Sequence, residues 1–560
     1  MPTPPARLQQ AVMTEFAPGT TCTALILEAA AAHPDADAVV LPGDRVTYRG
    51  FAAGAAEWSR VFIALGVVKG EHVGILLPNG TDFMHVLIGA MLAGAVPVPI
   101  NARYRGPEIA AILADADLVT VITANDVDQR PSLIERLYEA LPDLSTAGAP
   151  EHLSLEQAPR LRNIVITQGP PSPGFLHRRA VAASAAGIAS EEIERRGRAV
   201  RPEDTALILY TSGSTARPKG CLLSHAAVVT QGRLLAGRYQ MTARDRIWSP
   251  LPMFHVGGIS PLMAIASVGG AFLSMRRIEA GPGLAMMASE RATIAFALFQ
   301  TIIADLLQHP SFPEHDLGAI RLMVSNFSLQ PPWIRELLAD RLPQAVQIGT
   351  FGLTETVASA CTHSPDDAPD DRLSRLGRPL PEIEVRVVGE DDREVAPGVI
   401  GEVLLRGPTL FSGYYKDPER TAAALRDGWL RTGDRGSLDA RGSVMFHGRL
   451  KDVLKVGGEN VGALEIETVV GTHPAVKGCA VVGVPDPRLE EVPVAFVELR
   501  PRATATEEEI VTFCKAKLAS FKIPRRVYFV TEWPMSATKI DKPALLRRLN
   551  AGAVRGSEEG

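Results

Sequence analysis

Between Ala206 and His225 the chain reads Ala-Leu-Ile-Leu-Tyr-Thr-Ser-Gly-Ser-Thr-Ala-Arg-Pro-Lys-Gly-Cys-Leu-Leu-Ser-His, and few architectures accommodate that order of chemistries. Ala206 to Tyr210 is a short apolar run ending in an aromatic, which predicts a buried strand, and Cys221 to Leu223 predicts a second. The loop between them has nothing to bury. The hydroxyls of Thr211, Ser212, Ser214 and Thr215, the backbone freedom of Gly213 and the charge of Lys219 suit a polyphosphate. Ser224 stands as the N-cap of a helix running through Val228 and Leu234, so rigid elements flank the loop on both sides. A solvated Ser/Thr/Gly hairpin would look alike in isolation, so the loop takes its weight from its surroundings. It is not a Walker loop, because Lys219 is followed by Gly220 rather than by Ser or Thr.

A chain of 560 residues is too long for one compact core, which predicts at least two domains. A net charge of −5 gives no general attraction to nucleic acid or anionic lipid, so neither is expected as a partner. Five scattered cysteines without a C-x-x-C pair argue against a disulfide framework or a zinc site and make a reducing cytoplasm the default. Met1 to Phe16 has no apolar h-region, so no secretory signal is visible. Phe83 to Asn101 and Val256 to Met275 are long uncharged runs, but glycines and prolines divide each into a helix-length and a strand-length piece, and no transmembrane segment is expected.

From Thr20 to Val119, helix-like stretches such as Ala24 to Ala32 alternate with β-branched runs at Ala38–Leu41, Val73–Leu77 and Val96–Ile100. Such alternation predicts parallel strands crossed by helices. Asp126 to Gly197 is weakly patterned and rich in proline, and reads as surface elaboration. Strands at Cys479–Val482 and Val494–Val497 and a helix at Glu507–Leu518 predict a small α+β unit at the end of the chain.

The hydroxyl loop resembles the phosphate-binding signature of the acyl-adenylate-forming superfamily, the AMP-forming acyl-CoA synthetases and their relatives. Further segments in the right order carry the same resemblance: Ser249-Pro-Leu-Pro-Met-Phe-His-Val-Gly-Gly258, Thr350-Phe-Gly-Leu-Thr-Glu-Thr356, Gly428-Trp-Leu-Arg-Thr-Gly-Asp434, Gly448-Arg-Leu-Lys-Asp-Val-Leu-Lys-Val-Gly-Gly-Glu-Asn-Val461 and Pro534-Met-Ser-Ala-Thr-Lys-Ile-Asp-Lys542. The turns Leu77-Pro-Asn-Gly80 and Pro99-Ile-Asn-Ala102 are similar to structural turns of that superfamily. Besides Phe351 in place of Tyr and Gly462-Ala463 in place of an aromatic-Pro pair, three places depart from its usual form. Ala216 and Thr538 stand where glycine is usual, the latter in a turn one residue shorter than normal, and Asn326-Phe327 replaces a small-residue segment against the acyl pocket.

The resemblance implies a large multi-sheet α/β adenylation domain over residues 1–448, a hinge over 449–451 and a smaller mobile α+β domain over 452–560. It implies an AMP-forming carboxylate–CoA ligase using ATP, Mg²⁺ and coenzyme A on a small-molecule carboxylic acid, and leaves a homodimer open. Lys539 would stabilise the first transition state, and Thr354 would contact the α-phosphate. His255 would lie where acyl group and thiol meet, beside Asn326 and Phe327. Thr350, Phe351 and Gly352 would bind the cofactor, Phe351 offering its flat face to adenine, with Glu355 on Mg²⁺ and Asp434 on the ribose. Arg449 would contact ribose or phosphate, Lys451 would be the pivot, and Gly457-Gly458 would line the pantetheine path. Phe254-His255, where amino-acid-activating relatives have Phe-Asp, disfavours an amino-acid substrate. Loading of a carrier protein, or a nucleotide-binding relative that no longer catalyses, stays open beside the ligase.

Overall fold

In the computed structural model, residues 21–125, 132–211, 218–325, 332–456, 459–515, 517–536 and 539–551 are described. Two largely parallel sheets form the centre of the large domain. The seven-stranded one runs in the order Val346–Ile348, Leu322–Ser325, Ile294–Leu298, Arg246–Trp248, Ala271–Leu273, Asp37–Leu41, Asp44–Thr47, antiparallel only at its last pair. The second, all parallel, runs Val96–Pro99, His72–Leu76, Leu118–Thr123, Asn163–Ile166, Leu176–His177. Every residue of Leu118–Thr123 and Asn163–Ile166 is buried. Continuous apolar sequence rather than alternation is what a strand covered on both faces requires.

The two long uncharged runs divide as their glycines and prolines predict, into Thr81–Leu92 with Val96–Pro99 and Val256–Ala266 with Ala271–Leu273. Among the described residues no helix is long and apolar enough to cross a membrane. One expectation is overturned. The described part of the passage 126–197, from residue 132 on, is not surface elaboration: it carries the buried strand Asn163–Ile166, the strand Leu176–His177 and the helices Leu133–Ala140, Arg178–Ala186 and Ser190–Ala199. Each element there is ten residues or shorter, too brief for periodicity to stand out against the intervening prolines.

Besides the antiparallel sheet of Thr350–Phe351, Cys361–Thr362 and Arg378–Pro379, two further antiparallel sheets lie in the large domain near the site. Thr205–Thr211, Lys219–Ser224 and Gly413–Tyr414 form one, and the other is built on Trp429–Leu438 paired with Val444–Arg449. The large apolar core ends at Val444; from Leu454 onward the buried side chains belong to separate clusters around Val461, Ile466, Val481, Val497 and Leu545. That last unit is a mixed sheet of Glu459–Gly462, Val453–Val456, Glu490–Leu499, Val476–Asp486 and Arg526–Phe529, with the helices Ala463–Gly471, Glu507–Lys515 and Lys542–Asn550. All five cysteines are free thiols.

Candidate active site

The strands on either side of the hydroxyl loop pair so that Thr211 faces Lys219, and the helix beyond starts where Ser224 caps it, its hydroxyl accepting from Ala227 N at 3.1 Å. The strand Gly413–Tyr414 adds to the outer edge and sets Tyr414 opposite Cys221. Lys219 Nζ lies 3.3 Å from the Tyr414 hydroxyl and 4.5 Å from the centre of its ring. That hydroxyl donates to Glu355 Oε1 at 2.7 Å. Burial and the neighbouring Glu355 push the phenol pKa up, so Tyr414 keeps its proton and acts as a donor. Tyr415 and Lys416 pin the same strand from behind, donating to Asp117 Oδ2 at 2.8 and 2.9 Å. Sequence reasoning missed Tyr414; its signal is the pair of tyrosines followed by lysine after Gly413.

Glu355 belongs to a tightly wound segment. Thr350 and Phe351 pair with Thr362 and Cys361, and the Thr350 hydroxyl donates to Ser359 Oγ at 2.9 Å. Phe351 is buried, its ring 6.2 Å from that of Phe446. A Cβ at Gly352 would fall 1.5 Å from the carbonyl oxygen of Ala358, so only glycine fits. Thr354, Glu355 and Thr356 form a 3-10 turn, after which Val357 and Ala358 both take positive φ, 52° and 76°. Left-handed backbone at a β-branched residue is costly and persists where its surroundings enforce it. Here the Glu355 carbonyl is held by Phe411 N at 2.8 Å.

Asp434 and Arg449 face each other across neighbouring strands. Asp434 is buried, and Arg449 Nε lies 3.1 Å from its Oδ1 without hydrogen-bond alignment, so that oxygen has no hydrogen-bond partner. Burial pushes the carboxyl up to about 6, opposed by Arg449 and Lys539. Lys539 arrives from the C-terminal unit on a short hairpin that pairs it with Ser536. The residue is exposed, while the protein around its ammonium lowers its pKa, first by desolvation and then through Arg449. Asp434 and Glu355 pull the other way, and Lys451, exposed in the turn Leu450–Asp452, adds to the lowering. Lys542, three residues on, is a structural charge instead, bonded to Glu467 Oε1 at 2.8 Å.

His255 occupies the N-cap position of the helix Val256–Ala266, its ring against Phe254 at 4.7 Å. Its Nε2 is buried without a hydrogen-bond partner. Burial, then Lys539 and Arg103, push its pKa down to about 4, so it is neutral at pH 7. The turn before it is held by buried Asn79, which donates to Leu251 O at 3.0 Å and accepts from Met253 N at 2.8 Å.

One cleft therefore brings together Lys219, Tyr414, Glu355, Asp434, Arg449 and Lys539, with His255 and Lys451 in electrostatic reach of Lys539. Ser212, Gly213, Ser214, Thr215, Ala216, Asn326, Phe327, Gly457, Gly458 and Thr538 lie outside the described residues. No group of three or more His, Cys, Asp or Glu gathers among the described residues. A single carboxylate, Glu355, bonded to Tyr414, whose hydroxyl lies 3.3 Å from Lys219 Nζ, nevertheless fits Mg²⁺, which is commonly held by one or two carboxylates together with substrate phosphates.

The family model described as AMP-binding enzyme matches residues 26–415, and that described as AMP-binding enzyme C-terminal domain matches 465–539. The chain is similar to a sulfoacetate–CoA ligase of Cupriavidus necator, 32% identical over 94% of this chain and 97% of that one. It is similar to the long-chain-fatty-acid–CoA ligase FadD13 of Mycobacterium tuberculosis, 31% identical over 94% and 98%. Among solved structures, the anthranilate CoA ligase AuaEII in complex with anthranoyl-AMP superposes with a TM-score of 0.81 at 26% identity, covering 97% of this chain and 99% of that one.

Proposed function

The chain belongs to the AMP-binding enzyme family and is an AMP-forming acyl-CoA synthetase, and from that premise we propose how its own residues divide the two half-reactions. ATP, coenzyme A and a carboxylic acid are its substrates. The observation that carries the reading is the position of Lys539, which comes from the C-terminal unit yet lies close enough to Asp434, Glu355 and Arg449 for each to shift its proton affinity. Such an arrangement suits the step that forms the adenylate.

A carboxylate is a poor electrophile because its leaving group would be oxide. In the first half-reaction its oxygen attacks the α-phosphorus of ATP, and the bond to the bridging oxygen of pyrophosphate breaks. Lys219 and the hydroxyl loop from Thr211 to Thr215 hold the phosphate chain. Thr354 and Lys539 face the charge that builds on the α-phosphate oxygens. Glu355 would hold Mg²⁺, which when bound neutralises phosphate charge, and Tyr414 keeps that carboxylate aimed. The unpartnered Asp434 Oδ1 accepts from the ribose hydroxyls, Arg449 neutralises its charge, and Thr350, Phe351 and Gly352 form the wall for adenine.

In the second half-reaction the sulfur of coenzyme A attacks the acyl carbon and AMP leaves. His255 stays neutral and borders that meeting point. Lys539 has no part in this step, so the unit from residue 452 turns about the hinge 449–451, pivoting at Lys451, and offers Gly457-Gly458 to the pantetheine arm. The large domain in this reading is 1–448. Release of pyrophosphate across acids from sulfoacetate to long-chain fatty acids, with coenzyme A and a pantetheinylated carrier protein compared as acceptors, tests it. Acid-dependent release with thioester formed on coenzyme A is the expected result; thioester formed only on the carrier would reject it.

A further inference from the structure

The hairpin that carries Lys539 is rooted at Trp533 and Pro534, whose carbonyl accepts from Asp541 N at 2.7 Å. Trp533 is fixed in turn: its Nε1 donates to Glu498 Oε2 at 2.7 Å, while Lys477 donates to the other oxygen, Oε1, at 2.9 Å. Lys477 is no ordinary strand residue. The pairing passes from Val476 opposite Leu499 to Gly478 opposite Glu498, so Lys477 is the extra residue of a β-bulge. A bulge leaves its extra residue out of the ladder and bends the strand.

Here the carbonyl of the bulged residue accepts from Gln300 Nε2 at 3.4 Å, on the large-domain helix Gln300–Gln308. Asp305, five residues further along that helix, is within electrostatic reach of both Lys477 and Glu498. Beside the bulge, Arg500 donates to Val476 O at 3.1 Å and lies over the large-domain Trp333 ring at 4.8 Å. A continuous series of contacts therefore runs from the large domain through Lys477, Glu498 and Trp533 to the root of the Lys539 hairpin.

We propose that Lys477, Glu498 and Trp533 are positioning residues for adenylate formation: they dock the bulge on the helix Gln300–Gln308 and thereby set Lys539 in the cleft. The inference rests on the assignment of Lys539 to the first half-reaction. None of the three touches the reacting atoms. Once the C-terminal unit turns away, the contacts with Gln300 and Trp333 serve no purpose, so the second half-reaction should be indifferent to them.

The test measures each half-reaction in the full-length enzyme, with Lys539→Ala as the reference. Trp533→Phe keeps an aromatic ring, smaller than the indole, and removes the N–H donor. It should slow pyrophosphate release about 5- to 20-fold while thioester formation from pre-made acyl-adenylate stays within 2-fold. Gln300→Ala, which lies outside the C-terminal unit and leaves its folding intact, should give the same selectivity, and combining the two should slow the reaction by less than the product of their separate effects. If Lys539→Ala is selective but Trp533→Phe and Gln300→Ala are silent, or slow both half-reactions alike, the positioning role is overturned and the Lys539 assignment stands. If Lys539→Ala itself is unselective, the assignment beneath the inference fails.

Discussion

The Tyr414 hydroxyl donates to Glu355 Oε1 at 2.7 Å while its ring lies under the Lys219 ammonium, joining two strand ends and a 3-10 turn that are far apart in sequence. Tyr414→Phe keeps the ring and loses the donor. A hydrogen bond to a charged acceptor contributes about 1.5–3 kcal/mol, so kcat/KM for ATP should fall roughly 10- to 100-fold, most steeply at limiting Mg²⁺. Tyr415→Phe, which loses only the bond to Asp117 behind the strand, is the control, and steady-state kinetics of the pair checks the contrast.

Asp434 couples stability to function through pH. Its carboxyl moves from 3.8 to about 6 on folding, so between those values the native state binds more protons than the unfolded one. The protein therefore loses stability as pH rises through that window, by an amount on the order of 3 kcal/mol when complete. Asp434→Asn should raise the melting temperature of the ligand-free enzyme at pH 7, and the gain should vanish below about pH 4. The same variant should raise the KM for ATP several-fold. Thermal melts across pH together with ATP titrations measure both.

The two nearby lysines should separate cleanly. Lys542 is paired with Glu467, whose other contact is Val481 N at 2.7 Å. Lys542→Met leaves that carboxylate partly buried without its cation, and should destabilise the C-terminal unit by about 2–4 kcal/mol, read as an earlier melt. Lys539→Ala removes an exposed cation and should leave the melting temperature within about 2 °C.

Gly352→Ala should remove activity without removing the fold elsewhere. The added Cβ would meet the Ala358 carbonyl at 1.5 Å, so the turn carrying Thr354 and Glu355 must move; with the roles proposed for those two residues, a displacement of about 1 Å costs on the order of 100-fold. Pyrophosphate release measured beside far-UV circular dichroism distinguishes this from global unfolding.

The family was legible because each of its motifs lies within a few neighbours: Thr211 to Lys219, Thr354-Glu355, and Gly448 to Val461. What stayed hidden depends on pairing across long separations. Tyr414 gains its meaning only when its strand joins Lys219–Ser224, 195 residues from Lys219. The strand Asn163–Ile166 was lost because four buried residues between prolines show no period. The bulge at Lys477 is a matter of register, which side-chain composition does not encode. Conversely, the glycine at 352 could be read in a motif, but the reason for it, the Ala358 carbonyl, could not.

The central claim is that Lys539 serves one half-reaction and not the other. Lys539→Ala should lower acid-dependent pyrophosphate release by about 100-fold or more, the loss of a charge-stabilising contact in the transition state. The same variant, given pre-made acyl-adenylate and coenzyme A, should form thioester at close to the wild-type rate. Equal losses in the two assays would contradict the account.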